Sequence, residues 1–371
     1  MRNGGIMKKI LVLLMIVLLF GNVGFAHSDY DLFYGKEDNH SLTLMFTGDI
    51  MVHGTQYLSA YKASSGEYDF SPWFHYILGH FTSSDYLIGN LETTLTEDPT
   101  SYSGFPRFRS PVAIAKALKN ASFDVIATAN NHSADNGFYG IETTLKHLEN
   151  NGLIPVGTAY GDKENLPIII DNGRMKIGIF SSTFGTNGMP VPSGYPHMVN
   201  VTTEELIDEQ IAYLKSQQVD GILAFVHWGH EYQRKAHSSQ VEVANLLSSK
   251  GVDWIIGSHP HSIQPDGYVA TEKKVTYVNY SLGNLISNQR WRYSDTGLIL
   301  SLTIEKFNDS LYTDVDYLPF WVDKEDEYNQ ISYTIIPLID PPEINRLSPL
   351  DRRLMDEALS DFYELYPNAK K

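Results

Sequence analysis

The sequence predicts an α/β fold, with short apolar strands alternating with amphipathic helices. Three observations carry this. Apolar runs and helical patterns follow one another along most of the chain; polar motifs rich in Asp, Asn, Glu and His sit where several of the runs end; and 371 residues at 42% hydrophobic content supply one large core.

The elements follow in order. Leu42–Thr47 alternates apolar and polar side chains as a half-buried strand does, and Tyr86–Gly89 and Val125–Ala129 are short apolar runs of the buried kind. Ile222–Val226, Trp254–Ile256 and Val275–Tyr280 repeat the type. Helical spacing predicts helices over Val112–Leu118, Gly140–Asn150, Glu204–Gln217 and Ser239–Lys250, the last with apolar Val243, Leu246 and Leu247. Strands alternating with helices argue for a sheet covered by helices, and ligands on such sheets gather beyond the carboxyl ends of the strands.

The polar motifs sit at those ends: GDIMVH at Gly48–His53, GNLE at Gly89–Glu92, NNH at Asn130–His132, HWGHE at His227–Glu231 and GSHPH at Gly257–His261. Carboxylate and amide oxygens with neutral imidazole nitrogens suit divalent manganese, iron or zinc, and the absence of Cys excludes a thiolate site. Two such ions about 3.5–4 Å apart can clamp an in-line displacement at phosphorus or polarise a carbonyl. Each residue also has a plainer role. Asp49 could cap a turn, Asn130 and Asn131 could shape one, and His227 alone would more often be a core histidine than a ligand. Their common order along the chain weighs against that.

That order resembles the calcineurin-like metallophosphoesterases, whose pattern is GD, GD, GNH, H and GHxH. Closer still, GNLE at 89–92, ANNHSADNG at 129–137, His227-Trp228-Gly229, HPHSIQ at 259–264 and YSLGN at 280–284 look like the CapA-type branch, bacterial capsule proteins linked to poly-γ-glutamate. The resemblance covers roughly Leu42 to Leu300. It implies a sandwich of two mixed β-sheets flanked by helices. It implies two divalent ions held by Asp49, Asn90, Glu92, Asn131, His227, His259 and His261, with His132 as general acid. Asp135 is expected to support His132 or to cap a helix, and His230 and Glu231 to orient His227 or to begin a solvated loop. Two departures bear on activity. Asn90 replaces an Asp that bridges both metals, with Glu92 two residues on as a substitute carboxylate, and the family's Asp-x-His is here Asp49-Ile50-Met51-Val52-His53. His53 and Arg109 are assigned to substrate, Arg109 as a fork for a carboxylate or phosphate.

A net charge of −16 excludes nucleic acid and anionic lipid as natural partners, and it repels polyglutamate except where bound metals, Arg107 and Arg109 offset it. Lys8 and Lys9 precede the apolar run Ile10–Phe20, followed by Gly24-Phe25-Ala26, so residues 1–26 read as a signal peptide or, uncleaved, as a membrane anchor. Either places the body outside the cytoplasm. Residues 41–305 are expected to form the catalytic domain. Residues 306–371, aromatic, acidic and proline-bearing, are expected to be an elaboration packed on the core and ending in a helix over Asp351–Tyr366. The resulting expectation is a protein for synthesis, export or trimming of a poly-γ-glutamate-type polymer. A secreted phosphoesterase for small phosphoesters and a non-catalytic scaffold for membrane synthase subunits remain alternatives.

Overall fold

Each run expected as a strand contributes to one in the computed structural model, which describes residues 41–272, 274–308, 310–327 and 330–369. The expected leader or anchor at 1–26 lies outside the described residues. Among the described residues no helix is long and apolar enough to cross a membrane.

Numbered along the two large sheets, the strands are β1 (Ser41–Ile50), β2 (Tyr86–Leu91), β3 (Val125–Ala127), β4 (Ile154–Val156), β5 (Ile168–Asp171), β6 (Lys176–Thr183), β7 (Gly221–His227) and β8 (Trp254–Ser258). They continue as β9 (Ile263–Ala270), β10 (Val275–Leu282), β11 (Asn284–Ile286), β12 (Thr296–Phe307), β13 (Ser310–Glu327) and β14 (Gln330–Pro337). The first sheet runs β14-β13-β12-β1-β2-β3-β4, with β11 also pairing β1; the second runs β9-β10-β8-β7-β6-β5. Both are mixed. β1 through β4 are parallel in one and β6, β7, β8 and β10 in the other, with antiparallel strands at the remaining edges.

The two sheets pack face to face. Leu44 and Phe46 of β1, Ile88 of β2 and Leu300 and Leu302 of β12 share one buried cluster with Ile177, Ile179, Leu223, Phe225 and Ile256 of the second sheet. Helices cover the outer faces. Ala113–Asn120 (α1) lays Ile114 and Leu118 on Met45, Leu87 and Ile126, and the C-terminal turn of Gly137–Asn150 (α2) adds Leu148. On the other side, Glu204–Ser216 (α3) and Ser238–Lys250 (α4) bury Ile211, Leu214, Ala244 and Leu247 against Ala224, Val226, Ile255 and Val278. Alternate residues of one strand thus feed two cores, as the two-residue side-chain period requires.

The segment after Glu305 is part of the first sheet. β12, β13 and β14 pair antiparallel in continuous register, and Pro349–Leu365 (α5) closes over them with Met355 and Ala358 on Trp321 and Ile336. Its alternation was hidden because Asp residues punctuate the aromatic ones and Pro319 interrupts β13, a residue tolerated there although it donates no ladder hydrogen bond.

Candidate metal centre

Parallel strands from both sheets deliver their carboxyl ends to one place. Asp49 at the end of β1 is in register with Asn90 of β2, and His227 at the end of β7 is in register with Ser258 of β8. Close backbone approach explains the glycines of two motifs. A Cβ on Gly48 would lie 1.8 Å from the Gly283 carbonyl oxygen, and one on Gly257 would lie 2.1 Å from that of Tyr280. No side chain fits either. Beyond β8, His259 and His261 take left-handed backbone at φ 99° and 53°, which turns both rings back onto the sheet ends.

The buried cluster that results joins five chain segments. His227 turns Nδ1 to Ser258 Oγ (2.9 Å), leaving Nε2 facing Asn131 Oδ1 (3.0 Å), His259 Nδ1 (3.1 Å) and Glu92 Oε1 (3.7 Å). His261 sets Nδ1 3.1 Å from Asp49 Oδ2 and Nε2 3.8 Å from Glu92 Oε1, while the His259 backbone N–H donates to Asp49 Oδ2 at 3.2 Å. Burial, and then the neighbouring imidazoles, hold His227 and His259 well below the usual histidine range, so both rings are neutral, the form that ligates metal. Both oxygens of Glu92 and the Asn131 amide nitrogen are buried without a hydrogen-bond partner. Orphaned carboxylate oxygens among convergent imidazole nitrogens fit a divalent metal of the N/O-binding kind.

Glu92 belongs to two candidate donor sets, one with His259 and His261 and one with Asp49 and His227. Asn90 enters the cluster through its hydrogen bonds. Asn130 fixes the sense of the local amides, because its Nδ2 donates to the Leu91 carbonyl (2.9 Å) and its Oδ1 accepts from the His132 N–H (3.1 Å). The same Nδ2 donates to Asn90 Oδ1 (3.1 Å), so Asn90 turns its nitrogen to Asp49 Oδ1 (2.8 Å) and His227 Nδ1 (3.3 Å). Asn90 therefore presents a donor that orients Asp49.

His132 and Asp135 pair beside the cluster, Nδ1 to Oδ2 at 2.7 Å, and the same carboxylate oxygen accepts the Phe108 backbone N–H at 2.6 Å. The carboxylate fixes the ring so that Nε2 points away from it, and Asn187 Nδ2 lies 3.5 Å from that nitrogen. The cap expected of Asp135 falls instead at Asn136, which precedes α2. A cavity of about 770 Å³ between Gly161–Leu166 and α3 contains none of the motif residues. The chemistry, not this cavity, marks the site.

A family model described as "Bacterial capsule synthesis protein PGA_cap" matches residues 43–289. The chain belongs to that family. Capsule biosynthesis protein CapA of Bacillus anthracis is 29% identical over 278 residues, 71% of this chain and 64% of that protein, so the match spans less than two thirds of that relative. PGA biosynthesis protein CapA of Bacillus subtilis (strain 168) is 28% identical over 271 residues, 70% of this chain and 67% of that one. Among solved structures, Haemophilus influenzae NAD nucleotidase aligns over 87% of this chain and 63% of its own at TM-score 0.50 and 13% identity. The calcineurin-like phosphoesterase YfkN from Bacillus subtilis aligns over 88% and 99% at TM-score 0.47 and 16% identity. At 13% identity the likeness to the nucleotidase bears on the fold alone, and the two mixed sheets flanked by helices described above are the expected sandwich.

The remaining expected residues of this capsule synthesis family member are dispersed. Arg109 pairs through its backbone with Ser103 and with Thr94 opposite, one residue from the Phe108 N–H that holds Asp135, and its Nε is buried without a partner. His53 opens the helix Gly54–Ala60; its ring meets Phe108 edge-on at 5.0 Å, and Phe108 meets His132 at 4.7 Å. Burial pushes His53 down to about 4, so it too is neutral at pH 7. His230 and Glu231 are exposed, and His230 packs on His237 (4.3 Å). Ser258 therefore has the orienting place expected of them. Sequence reasoning missed Ser258, although its position inside GSHPH was the signal.

Burial first, and then Asp49 and Glu231, raises the Glu92 carboxyl well above its usual range. The native metal-free protein keeps a proton that the unfolded chain releases above about 4.5, so this group lowers stability as pH rises from there. Glu92→Gln removes that penalty. We expect the metal-free variant to be more stable than wild type at pH 7 and to take up less metal. Thermal unfolding in chelator at pH 5 and pH 7 checks this: the gain must grow between them, and none at pH 7 contradicts it.

Proposed function

We propose that the chain is an extracytoplasmic, metal-dependent hydrolase serving the synthesis, export or trimming of a poly-γ-glutamate-type envelope polymer. One observation carries this reading: a buried, unpaired Glu92 belongs to two donor sets, in a chain that also holds a buried His132 fixed by Asp135. Glu92, which belongs to both donor sets, would supply the carboxylate that Asn90 lacks, and Asp49, Glu92, Asn131, His227, His259 and His261 would hold the ions. Two divalent ions there would supply Lewis acidity and an activated water. The chain's own residues do the rest. Asn90 and the His259 N–H aim Asp49, Ser258 aims His227, and His132 Nε2 gives a proton to the leaving group while Asp135 steadies the ring. Family membership supports the capsule context, and the proposed partners are the polymer and the membrane subunits that make it.

Metal analysis of the purified body, coupled to hydrolysis assays on γ-linked polyglutamate and on small phosphoesters, tests this. Metal-dependent cleavage of the polymer supports it; cleavage of phosphoesters alone, with the polymer intact, replaces it with the small-phosphoesterase reading. The unpartnered Arg109 guanidinium adds a prediction. Arg109→Ala should weaken polymer binding about tenfold, the loss of one charge-assisted contact, and added salt should change wild-type binding little, because it screens the repelling acids as well. Affinity equal to wild type would remove Arg109 from the site.

A further inference from the structure

Three aromatic rings at the mouth of the cluster stand well out in solvent: Phe184 is 47%, Tyr232 40% and Trp291 61% exposed. They are in contact with the site. Phe184 lies 4.7 Å from the His259 ring and stacks over His227 at 6.4 Å with only 8° between the planes; Tyr232 lies 5.9 Å from His261, and Trp291 5.0 Å from Tyr232.

The wall is also held in place. Arg290 donates to the Val322 carbonyl (2.7 Å), and Arg292 forks onto Asp361 (2.8 and 3.3 Å), so each neighbour of Trp291 is anchored. Asn288 accepts from Lys324 Nζ (2.9 Å) and Tyr333 OH (2.7 Å), and Gln289 Nε2 donates to the Tyr232 hydroxyl (3.2 Å). Ordering large rings in water costs free energy and stabilises no core. A ligand recovers that cost.

Charge narrows what the ligand offers. A polyanion approaching a chain of net charge −16 gains from charge only near cations, so its uncharged parts must supply the remaining attraction. A γ-linked glutamate unit has two methylenes and a planar amide in its backbone, and both pack well on ring faces. Resting on the polymer reading above, we propose that Phe184, Tyr232 and Trp291 form an aromatic platform that holds the methylene–amide backbone of γ-linked polyglutamate across the metal centre.

Calorimetric titration of the metal-loaded protein with a γ-linked glutamate oligomer tests it. Wild type should bind, Trp291→Ala and Phe184→Ala should each weaken binding about tenfold, and Trp291→Phe should keep most of the affinity. Metal content should stay at the wild-type level. Trp291 reaches the cluster only through Tyr232, so its variants decide should Phe184→Ala disturb the metal. Wild-type binding with Trp291→Ala within twofold of it overturns the platform and leaves the polymer reading standing. No binding by wild type overturns the polymer reading, and the platform's occupant with it.

Discussion

The double variant His259→Ala/His261→Ala loses its bound metal and keeps its fold. Both rings reach the cluster, one donor set contains both, and the remaining donors would be Asp49, Glu92, Asn131 and His227 without the pair that closes the site from the second sheet. Loss of a group that merely supports a ligand costs about 10–100-fold in metal affinity; removing two ligands should cost more. The fold should survive, because alanine has the same Cβ as histidine and adds no strain at φ 99° and 53°, and because no large apolar side chain is deleted. Elemental analysis after gel filtration, with circular dichroism as the control, makes the check. Wild-type metal content in this variant would dismantle the proposed ligand set.

His132→Asn separates an enzyme from a scaffold. The amide retains a polar group near Asp135 but cannot carry a proton to a leaving group, so hydrolysis should fall by roughly 10²–10⁴ while metal content is unchanged. Polymer production in cells should fall with it. A scaffold for a membrane synthase would be indifferent to the change, so normal polymer yield at equal protein level would favour that role. Loss of metal together with rate would instead make His132 part of the metal's support.

Much of the centre was legible because its residues come as short polar words after apolar runs, in a fixed order. Asp49, Glu92, Asn131, His227, His259 and His261 all converge within one buried cluster. How Asn90 is turned is something no sequence displays: the sense of an amide is set by its neighbours, here by Asn130 and, through it, the Leu91 carbonyl. Ser258 was missed because a serine before a histidine has many ordinary uses. Of the fold, β1, β2, β3, β7, β8 and β10 and the helices α1 to α4 were readable, whereas β4, β5, β6 and β9 were not named. β13 and β14 were not, since their inward positions change from one core to another along the strand, Leu311 and Val315 to one side and Phe320 and Val322 to the other.

The neutral amide at Asn90 also sets the electrical balance of the centre. With an Asp there, three carboxylates would face the proposed pair of dications; with Asn90 only Asp49 and Glu92 would, and His227 and His259 are uncharged. A loaded centre would thus keep a surplus of about two positive charges, in a region of low dielectric where such a surplus reaches far. The rest of the chain is strongly acidic. The loaded protein would act as an electrostatic funnel with a single well, turning away anions everywhere except at the point where they can react.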